Sequence, residues 1–280
     1  MPKSAIDISY CQQNVDYRAV KLSGVDAVII RNGYYSKTDT MFSTHMKGAI
    51  AAGLNVGTYT YMLSSTPAEA KEEAKQTVQR LENYKGKLTY PVFADMESDK
   101  YFSAARYDTT RRTAILCAFL ETIEAEGYYP AVYTNPAWLE TYLDKKSIVG
   151  KYDIWLAAWT DSPSKPTKFD YGQTMWQWGV GAVNGIKDKV DCDLVYCDYP
   201  LRIRNSGKNY LTVKKKVVLA YKAAVRAEPK ATGKLLTTLE PGKKCYILEG
   251  TETIDPVSGY TYIQVVGNRD QLWIVKSAIK

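Results

Sequence analysis

The chain has 280 residues, of which 45% are hydrophobic and 24% charged, with a formal net charge of +7. At ~100–200 residues per domain this length implies two domains with sizeable cores, and no apolar run approaches the ~18 residues of a membrane span. The charge is uneven: residues 201–280 hold 15 Lys or Arg against 6 acids, leaving 22 against 24 in residues 1–200. A basic module beside a near-neutral one suits attachment to a polyanion.

The N-terminal MPKSAIDISY reaches an apolar alternating stretch within a few residues. That leaves no room for a secretory signal peptide, so the expectation is that the chain carries no export address of its own. Five cysteines, Cys11, Cys117, Cys192, Cys197 and Cys245, are odd in number and thinly spread, and read as mostly buried thiols. A Cys192–Cys197 pair stays open, although their spacing puts them on opposite faces of a continuous strand.

In chain order, runs rich in Val, Ile, Tyr and Trp occur at AIDISY, DAVIIRNGYY, NVGTYTYML, YPVFADMES, YYPAVYTN, YDIWLAAW, GQTMWQWG and VDCDLVY. Helical segments fall between the early ones: Met41 to Ala52 closed by Gly53, Pro67 to Leu81 after the cap Thr66, and Thr109 to Glu126 closed by Gly127. Alternation of strands apolar on both faces with helices implies parallel strands covered by crossover helices, closed into a β/α barrel. The last three strands have little room for helices, because DSPSKPTKFDY and GVGAVNGIKDK read as irregular loops. The expected fold class is α/β: an incomplete TIM-like (β/α)5β3 barrel over residues 1–200, with an open doubly wound sheet as the alternative. After Pro200, residues 201–209 have the composition of a linker. Residues 210–280 form short strands with turns at PKATGK, EPGKK and DPVSGY, a small all-β module of the size that usually serves attachment.

In YPVFADMES, Asp95 and Glu97 are two apart on a strand, so their side chains share a face. They stand at the strand's C-terminal end, where β/α barrels place their active sites. Mutual repulsion raises the pKa of one, and a protonated carboxyl beside an ionised one is the equipment for glycoside cleavage. Asp7 in the first strand and Asp191 at the start of the last would be neighbours in a closed barrel. Each alone reads first as a solvated strand-end acid; four on strands of one barrel are less easily read that way. The bias to 23 Tyr and 6 Trp over 5 Phe supplies flat rings with a polar handle, suited to sugar faces. Tyr34, Tyr59, Tyr61, Tyr133, Trp159 and Trp176 lie near strand C-termini, beside Gln177. The single histidine, His45, lies on a helix and reads as structural. GxSxG, HExxH and Walker motifs are absent, so neither metal nor cofactor is expected.

At the level of motif order, DISYCQ, AIAAGLNVGTYTY, PVFADMES, YTNPAW, IWLAAW, MWQWG and VDCDLVY resemble the GH25 muramidases, the Chalaropsis-type lysozymes that include many phage endolysins. The resemblance covers residues 5 to about 197. It implies hydrolysis of the β-1,4 bond after N-acetylmuramic acid in bacterial peptidoglycan, on a barrel with five helices and eight strands, without a cofactor. Glu97 then donates the proton, Asp95 assists the developing positive centre or the substrate's acetamido group, and Asp7 and Asp191 line the cleft. The family often has Asn where this chain has Asp193, so Asp191 and Asp193 both compete for the cleft-facing place. From Val225 onward the sequence resembles bacterial SH3-like wall-binding modules, with TETIDPVSG as an insertion. Tyr260, Tyr262 and Trp273 stand out there as candidate wall-binding aromatics. The implied partners are peptidoglycan and anionic wall polymers. Nucleic-acid binding would rest on charge alone and is not expected. The implied location is the host cytoplasm, until a holin-like protein opens the way to the wall. The rival from another class is a non-catalytic, lectin-like wall-binding protein, which retention of Glu97 with Asp95 disfavours.

Overall fold

The strand-forming runs of the first two hundred residues pair edge to edge in a computed structural model of the chain, which describes residues 2–97, 107–164, 167–209, 213–249, 251–266 and 272–280. The chain divides into two compact units, Met1–Asn209 and Tyr210–Lys280.

In the first unit the strands are β1 (Lys3–Ile8), β2 (Val25–Tyr34), the two-residue β3 (Lys37–Thr38), β4 (Asn55–Tyr61), β5 (Val92–Asp95), β6 (Pro130–Thr134), β7 (Asp153–Ala157), β8 (Met175–Gly181) and β9 (Val190–Val195). Their order is β1-β9-β8-β7-β6-β5-β4-β2, and β1 also pairs with β2, so eight strands close a barrel while β3 folds back on the end of β2. Pairings from β1–β2 round to β7–β8 are parallel. The all-parallel expectation fails at β9, which is antiparallel to both β8 and β1. The reason is length: parallel return needs a crossover of about a dozen residues or more, and only residues 182–189 join β8 to β9.

Helices α1 (Tyr17–Leu22), α2 (Phe42–Ala51), α3 (Pro67–Leu81), α4 (Thr109–Ala125) and α5 (Lys145–Ile148) lie between the early strands. No helix lies between β7 and β9 among the described residues. Local chemistry sets the boundaries. At α3 the Thr66 hydroxyl accepts from the Glu69 N–H at 3.2 Å, and Glu69 accepts from the N–H and hydroxyl of Ser65, both at 2.7 Å. At α4 the Asp108 carboxylate accepts from the Arg111 N–H at 2.7 Å. Strand alternation splits the core in two. Ile6, Val28, Ile30, Val92 and Val132 face outward against Met46, Leu81, Leu116 and Phe119 of the helices. Ala5, Ile29, Phe93, Ala131, Trp155 and Met175 are buried on the opposite parity and fill the barrel. Gly57 permits this filling: a Cβ there would lie 2.7 Å from Cβ of Tyr90 and 3.0 Å from the Pro91 carbonyl.

Residues 201–209 are not a linker but the closing element of the first unit. Helix α6 (Tyr199–Ser206) is capped by Asp198, carries Pro200 in its first turn and ends at Gly207 with φ +70°. Tyr199 is fully buried, its ring 5.0 Å from that of Tyr90 and its hydroxyl 2.6 Å from Oγ1 of Thr174. Beyond it, buried Asn209 accepts from the Tyr129 N–H at 2.6 Å and donates to the carbonyls of Leu88 and Tyr90 at 3.2 and 2.9 Å. It thereby ties together the segments that lead into β5 and β6. His45 is structural as expected: buried in α2, it bonds the Ser9 carbonyl through Nε2 and the Tyr17 hydroxyl through Nδ1. All five cysteines are free thiols, so the Cys192–Cys197 pair does not form.

The second unit is an antiparallel sheet of β10 (Val213–Val218), β11 (Ala223–Arg226), β12 (Leu235–Leu239), β13 (Lys244–Glu249), β14 (Thr253–Ile254), β15 (Thr261–Val265) and β16 (Leu272–Val275), in the order β10-β13-β15-β16-β11-β12 with β14 on β15. A small core of Val217, Leu219, Val225, Ile247, Ile263, Val265 and Ile274 holds it. The inserted loop is folded rather than loose. Asp255 accepts from the N–H groups of Val257 and Ala231 at 3.1 and 2.9 Å, pinning the loop to the turn before β12.

Asn209 sits at φ +55°, a conformation glycine adopts freely. Asn209→Gly therefore isolates the amide, leaving two buried carbonyls and one N–H without their partner. The expected loss of unfolding free energy for the first unit is about 1–3 kcal/mol, read by denaturant titration; an unchanged midpoint and slope would remove the clasp assigned to Asn209.

Candidate active site

The mouth of the barrel collects acids from three strands. Because Asp95 is inward-facing in β5, Glu97 two residues on is brought to the same side just past the strand end. Asp7 of β1 and Asp191 of β9 are direct register partners. Asp191 stands at the start of its strand, yet reaches the same mouth as Asp95 at the end of its own, because β9 runs the opposite way. Asp7, Asp95, Glu97 and Asp191 line one cavity of about 460 Å³ together with Tyr59, Tyr133, Asn135, Trp155, Ala157, Trp159 and Gln177. Asp191 and Asp193, two apart, both point inward. Asp191 lines the cleft, whereas Asp193 lies one level deeper, fully buried and accepting from the Trp155 indole N–H at 2.7 Å.

The cleft floor is aromatic. The Trp155 ring lies 4.6 Å from Tyr133, 4.9 Å from Phe93 and 6.1 Å from Tyr59, each in edge contact. Above it Gln177 organises the polar wall. Its Oε1 accepts from the Tyr133 hydroxyl at 3.0 Å and from the Trp159 indole N–H at 2.9 Å, which leaves Nε2 to donate to Oδ2 of Asp7 at 2.9 Å. Trp159 is tethered by that one bond while 64% of its surface stays exposed.

All the acids are pushed above the ordinary carboxylate range. Asp95 is raised well above it, first by burial and then by the charges of Glu97 and Asp7, with the Arg31 guanidinium pulling the other way. For Asp7 the causes are burial, then Asp191, against the Gln177 hydrogen bond. Glu97 is raised by burial and by Asp191, and Asp191 by burial. Asp193 follows through burial and the charge of Asp7. Oδ1 of Asp95 and Oδ2 of Asp193 are buried without a hydrogen-bond partner. Burial in a low dielectric favours the protonated form of each acid, and their mutual charge disfavours ionising all of them together.

Not every expected residue enters the acid cleft. Tyr34 and Tyr61 line a neighbouring pocket of about 510 Å³ with Tyr10, Arg31, Thr38 and Leu63. Arg31 is held there by Asp39, with Nε and Nη2 each 2.8 Å from Oδ2, and lies 4.9 Å over the Tyr10 ring. The segments just after Tyr34 and Tyr61, which end β2 and β4, are fixed by buried Glu73 of α3, which accepts from the N–H groups of Tyr35 and Leu63 at 2.6 and 3.3 Å. Trp176 does not line the cleft: fully buried, it donates its indole N–H to the Ala158 carbonyl at 2.8 Å. Sequence reasoning passed over Trp155, Asn135 and Arg31. Trp155 shares the alternation of Ala157 and Trp159 in IWLAAW, and Asn135 stands in YTNPAW; both signals were present but shared with ordinary core positions. In the second unit Tyr262 is only 1% exposed and so is closed to a surface ligand, whereas Tyr260 is 55% exposed. Among the described residues no group of three or more His, Cys, Asp or Glu is arranged to hold a metal ion, and no helix is long and apolar enough to cross a membrane.

A closed β/α barrel with a carboxylate cluster at the C-terminal ends of its parallel strands is a glycosidase type of architecture. The sequence profile of glycosyl hydrolases family 25 matches residues 6–186, and the chain belongs to that family. The autolytic lysozyme of Clostridium acetobutylicum is 29% identical over 191 residues, covering 67% of this chain and 54% of the relative, so the chain spans about half the length of that curated relative. Among solved structures, the modular autolysin LytC of Streptococcus pneumoniae superposes with a TM-score of 0.61 at 27% identity, over 70% of this chain and 47% of that one. The bacterial lysozyme of Streptomyces coelicolor shares the fold with a TM-score of 0.61 at 21% identity, over 75% of this chain and 99% of that one.

The raised acids make stability fall with pH. A carboxyl whose pKa is higher folded than unfolded contributes stability that is full below the unfolded value, about 3.9 for Asp, and is lost as pH rises through the folded value. Asp95→Asn and Asp193→Asn should therefore raise the melting temperature at pH 8, by about 2–4 °C per kcal/mol of relieved strain, with the gain shrinking toward pH 4. Calorimetry at the two pH values checks this; a gain confined to pH 4 would contradict the raised acids.

Proposed function

We propose that the first unit is an endo-acting muramidase, hydrolysing the β-1,4 bond between N-acetylmuramic acid and N-acetylglucosamine in peptidoglycan. The observation that carries this reading is the convergence of Glu97, Asp95, Asp7 and Asp191 on one aromatic-floored cleft. Family membership supports it, as does the likeness to LytC, which has been solved with a synthetic peptidoglycan ligand.

In this reading Glu97 is the general acid. It stands beyond the strand end, where a glycosidic oxygen can approach, and burial and Asp191 raise its pKa, which favours the protonated form that an acid must start from. As the bond to the leaving oxygen breaks, that proton passes to the oxygen and positive charge develops at the anomeric carbon. Asp95, lying below and 4% exposed, stabilises this charge in its ionised form, which the Arg31 guanidinium favours against the burial and the Glu97 charge that oppose it. Gln177 holds Asp7 at the side of the cleft and Trp159 at its rim, where the open indole face receives a sugar ring. Tyr59 and Tyr133 supply hydroxyls and ring edges to the bound sugars, and Tyr34 and Tyr61 extend the groove. The second unit is read as an SH3-like wall-binding module; its antiparallel strands around a small core and its surplus of lysines support this.

Glu97→Gln should fold as the parent does and lose lysis of purified walls by 10²-fold or more, since general acid catalysis contributes roughly 10²–10⁴. Mass spectrometry of the parent's digest should find new reducing ends on muramic acid; ends on glucosamine, or released stem peptides, would overturn the bond assignment. Gln177→Leu should keep the fold and lower kcat on soluble muropeptide chains by about 10-fold or more, each 1.4 kcal/mol of lost positioning being tenfold. A Gln177→Leu enzyme with parental kcat and KM would show that the network is idle.

A further inference from the structure

The four acids of the second unit that form ion pairs are matched within it: Glu249 pairs with Lys215, Glu240 with Lys222, Glu228 with Lys230 and Glu252 with Lys276. Asp255 is turned into its own loop by hydrogen bonds. Among the described residues, Lys216, Lys234, Lys243, Lys244 and Lys280 form no ion pair, and all five are exposed. Two of them flank an aromatic ring on one face. In the β10–β13 register Lys216 faces Tyr246 directly, and Lys244, two residues before Tyr246, faces Val218. Residues opposite each other lie ~5 Å apart, and residues two apart on a strand lie ~7 Å apart on one side. Lys216, Tyr246 and Lys244 therefore form one triangle on the outer face, while Val217 and Ile247 of the same strands point into the core. Tyr246 is 48% exposed, with Lys216 opposite it and Lys244 two residues before it on the same face. β10 ends the strand order of the sheet, and among the described residues only its C-terminal end is flanked, where the Lys280 N–H donates to the Val218 carbonyl at 3.0 Å.

We propose that the outer face of β10 and β13, centred on Tyr246 between Lys216 and Lys244, is the surface by which the protein holds a phosphodiester polymer carried on the cell wall. The inference rests on the wall as substrate of the first unit. The lysines neutralise successive phosphates and release their counterions, and the tyrosine packs on the polyol or sugar between them and hydrogen-bonds its hydroxyls. Tyr246 thus takes the place that composition gave to Tyr262, which the fold buries.

The test uses the full chain carrying Glu97→Gln, so that walls survive, with and without Lys216→Gln/Lys244→Gln, and separately with Tyr246→Ala. Binding is measured across a salt series on purified walls and on the same walls stripped of phosphodiester polymers by hydrofluoric acid, with melting temperature as the check on fold. Poly(glycerol phosphate) and duplex DNA serve as competitors at equal phosphate. The expected result is a tenfold or greater loss of affinity for intact walls in the double lysine variant. The slope of log affinity against log salt should fall by about two, one for each lysine. Tyr246→Ala should lower the affinity that remains at high salt, and neither variant should differ from its parent on stripped walls. Parental binding by a folded double variant would overturn the proposal, as would equal losses on stripped walls or displacement by DNA at lower phosphate than poly(glycerol phosphate) needs. Because cleavage of soluble muropeptide chains by the Glu97 enzyme is measured separately, absence of that cleavage with the binding pattern intact would sink the muramidase reading and not this one.

Discussion

Five carboxyl groups, Asp7, Asp95, Glu97, Asp191 and Asp193, share the mouth and upper interior of one barrel, with Arg31 the only cation that moves the pKa of any of them among the described residues. Such a cluster is unstable by itself, since each acid loses hydration and several repel a neighbour. What holds it is the rest of the fold: a closed ring of strands that cannot splay, an aromatic floor around Trp155, and Gln177 and Trp155 donating to Asp7 and Asp193. The strain is kept where protonated acids are useful, and the helix-covered outer core offsets it.

The direction of β9 is the topological detail on which that cluster turns. Had the last strand run parallel to its neighbours, the start of VDCDLVY would lie at the opposite end of the barrel from Glu97. Running back from β8 through a short connection, it brings Asp191 against Asp7 at the mouth and sets Asp193 beneath, beside Trp155. The same economy of chain leaves β7, β8 and β9 without intervening helices among the described residues. The lower end of the barrel is closed instead from the C-terminal side of the unit, by Tyr199 on α6 and by Asn209.

The second unit follows a different logic. Its core is small, and among the described residues its acids are consumed by four of its lysines and by one loop. The surplus charge is therefore displayed on the surface rather than neutralised, and where it meets the exposed Tyr246 the sheet face gains a chemistry that its core lacks.

The sequence by itself determined whatever depends on spacing within one element. Asp95 and Glu97 share a face because strand side chains repeat every two residues. α3 begins at Pro67 because Thr66 and Glu69 cap it, and two domains follow from the change of pattern after residue 200. Motif order carried the family. Tertiary structure decided what depends on partners distant in the chain. Strand direction at β9 came from connection length acting with barrel closure, and the depths of Asp191 and Asp193 came from that direction. The closing role of Tyr199 to Asn209 was hidden because an eight-residue helix shows too little apolar periodicity to distinguish it from a polar linker, although its caps, Asp198 and Gly207, were in plain view. Burial of Tyr262 and exposure of Tyr246 depend on which face of a seven-stranded sheet meets the core, and no single strand of that sheet carries enough alternation to declare it.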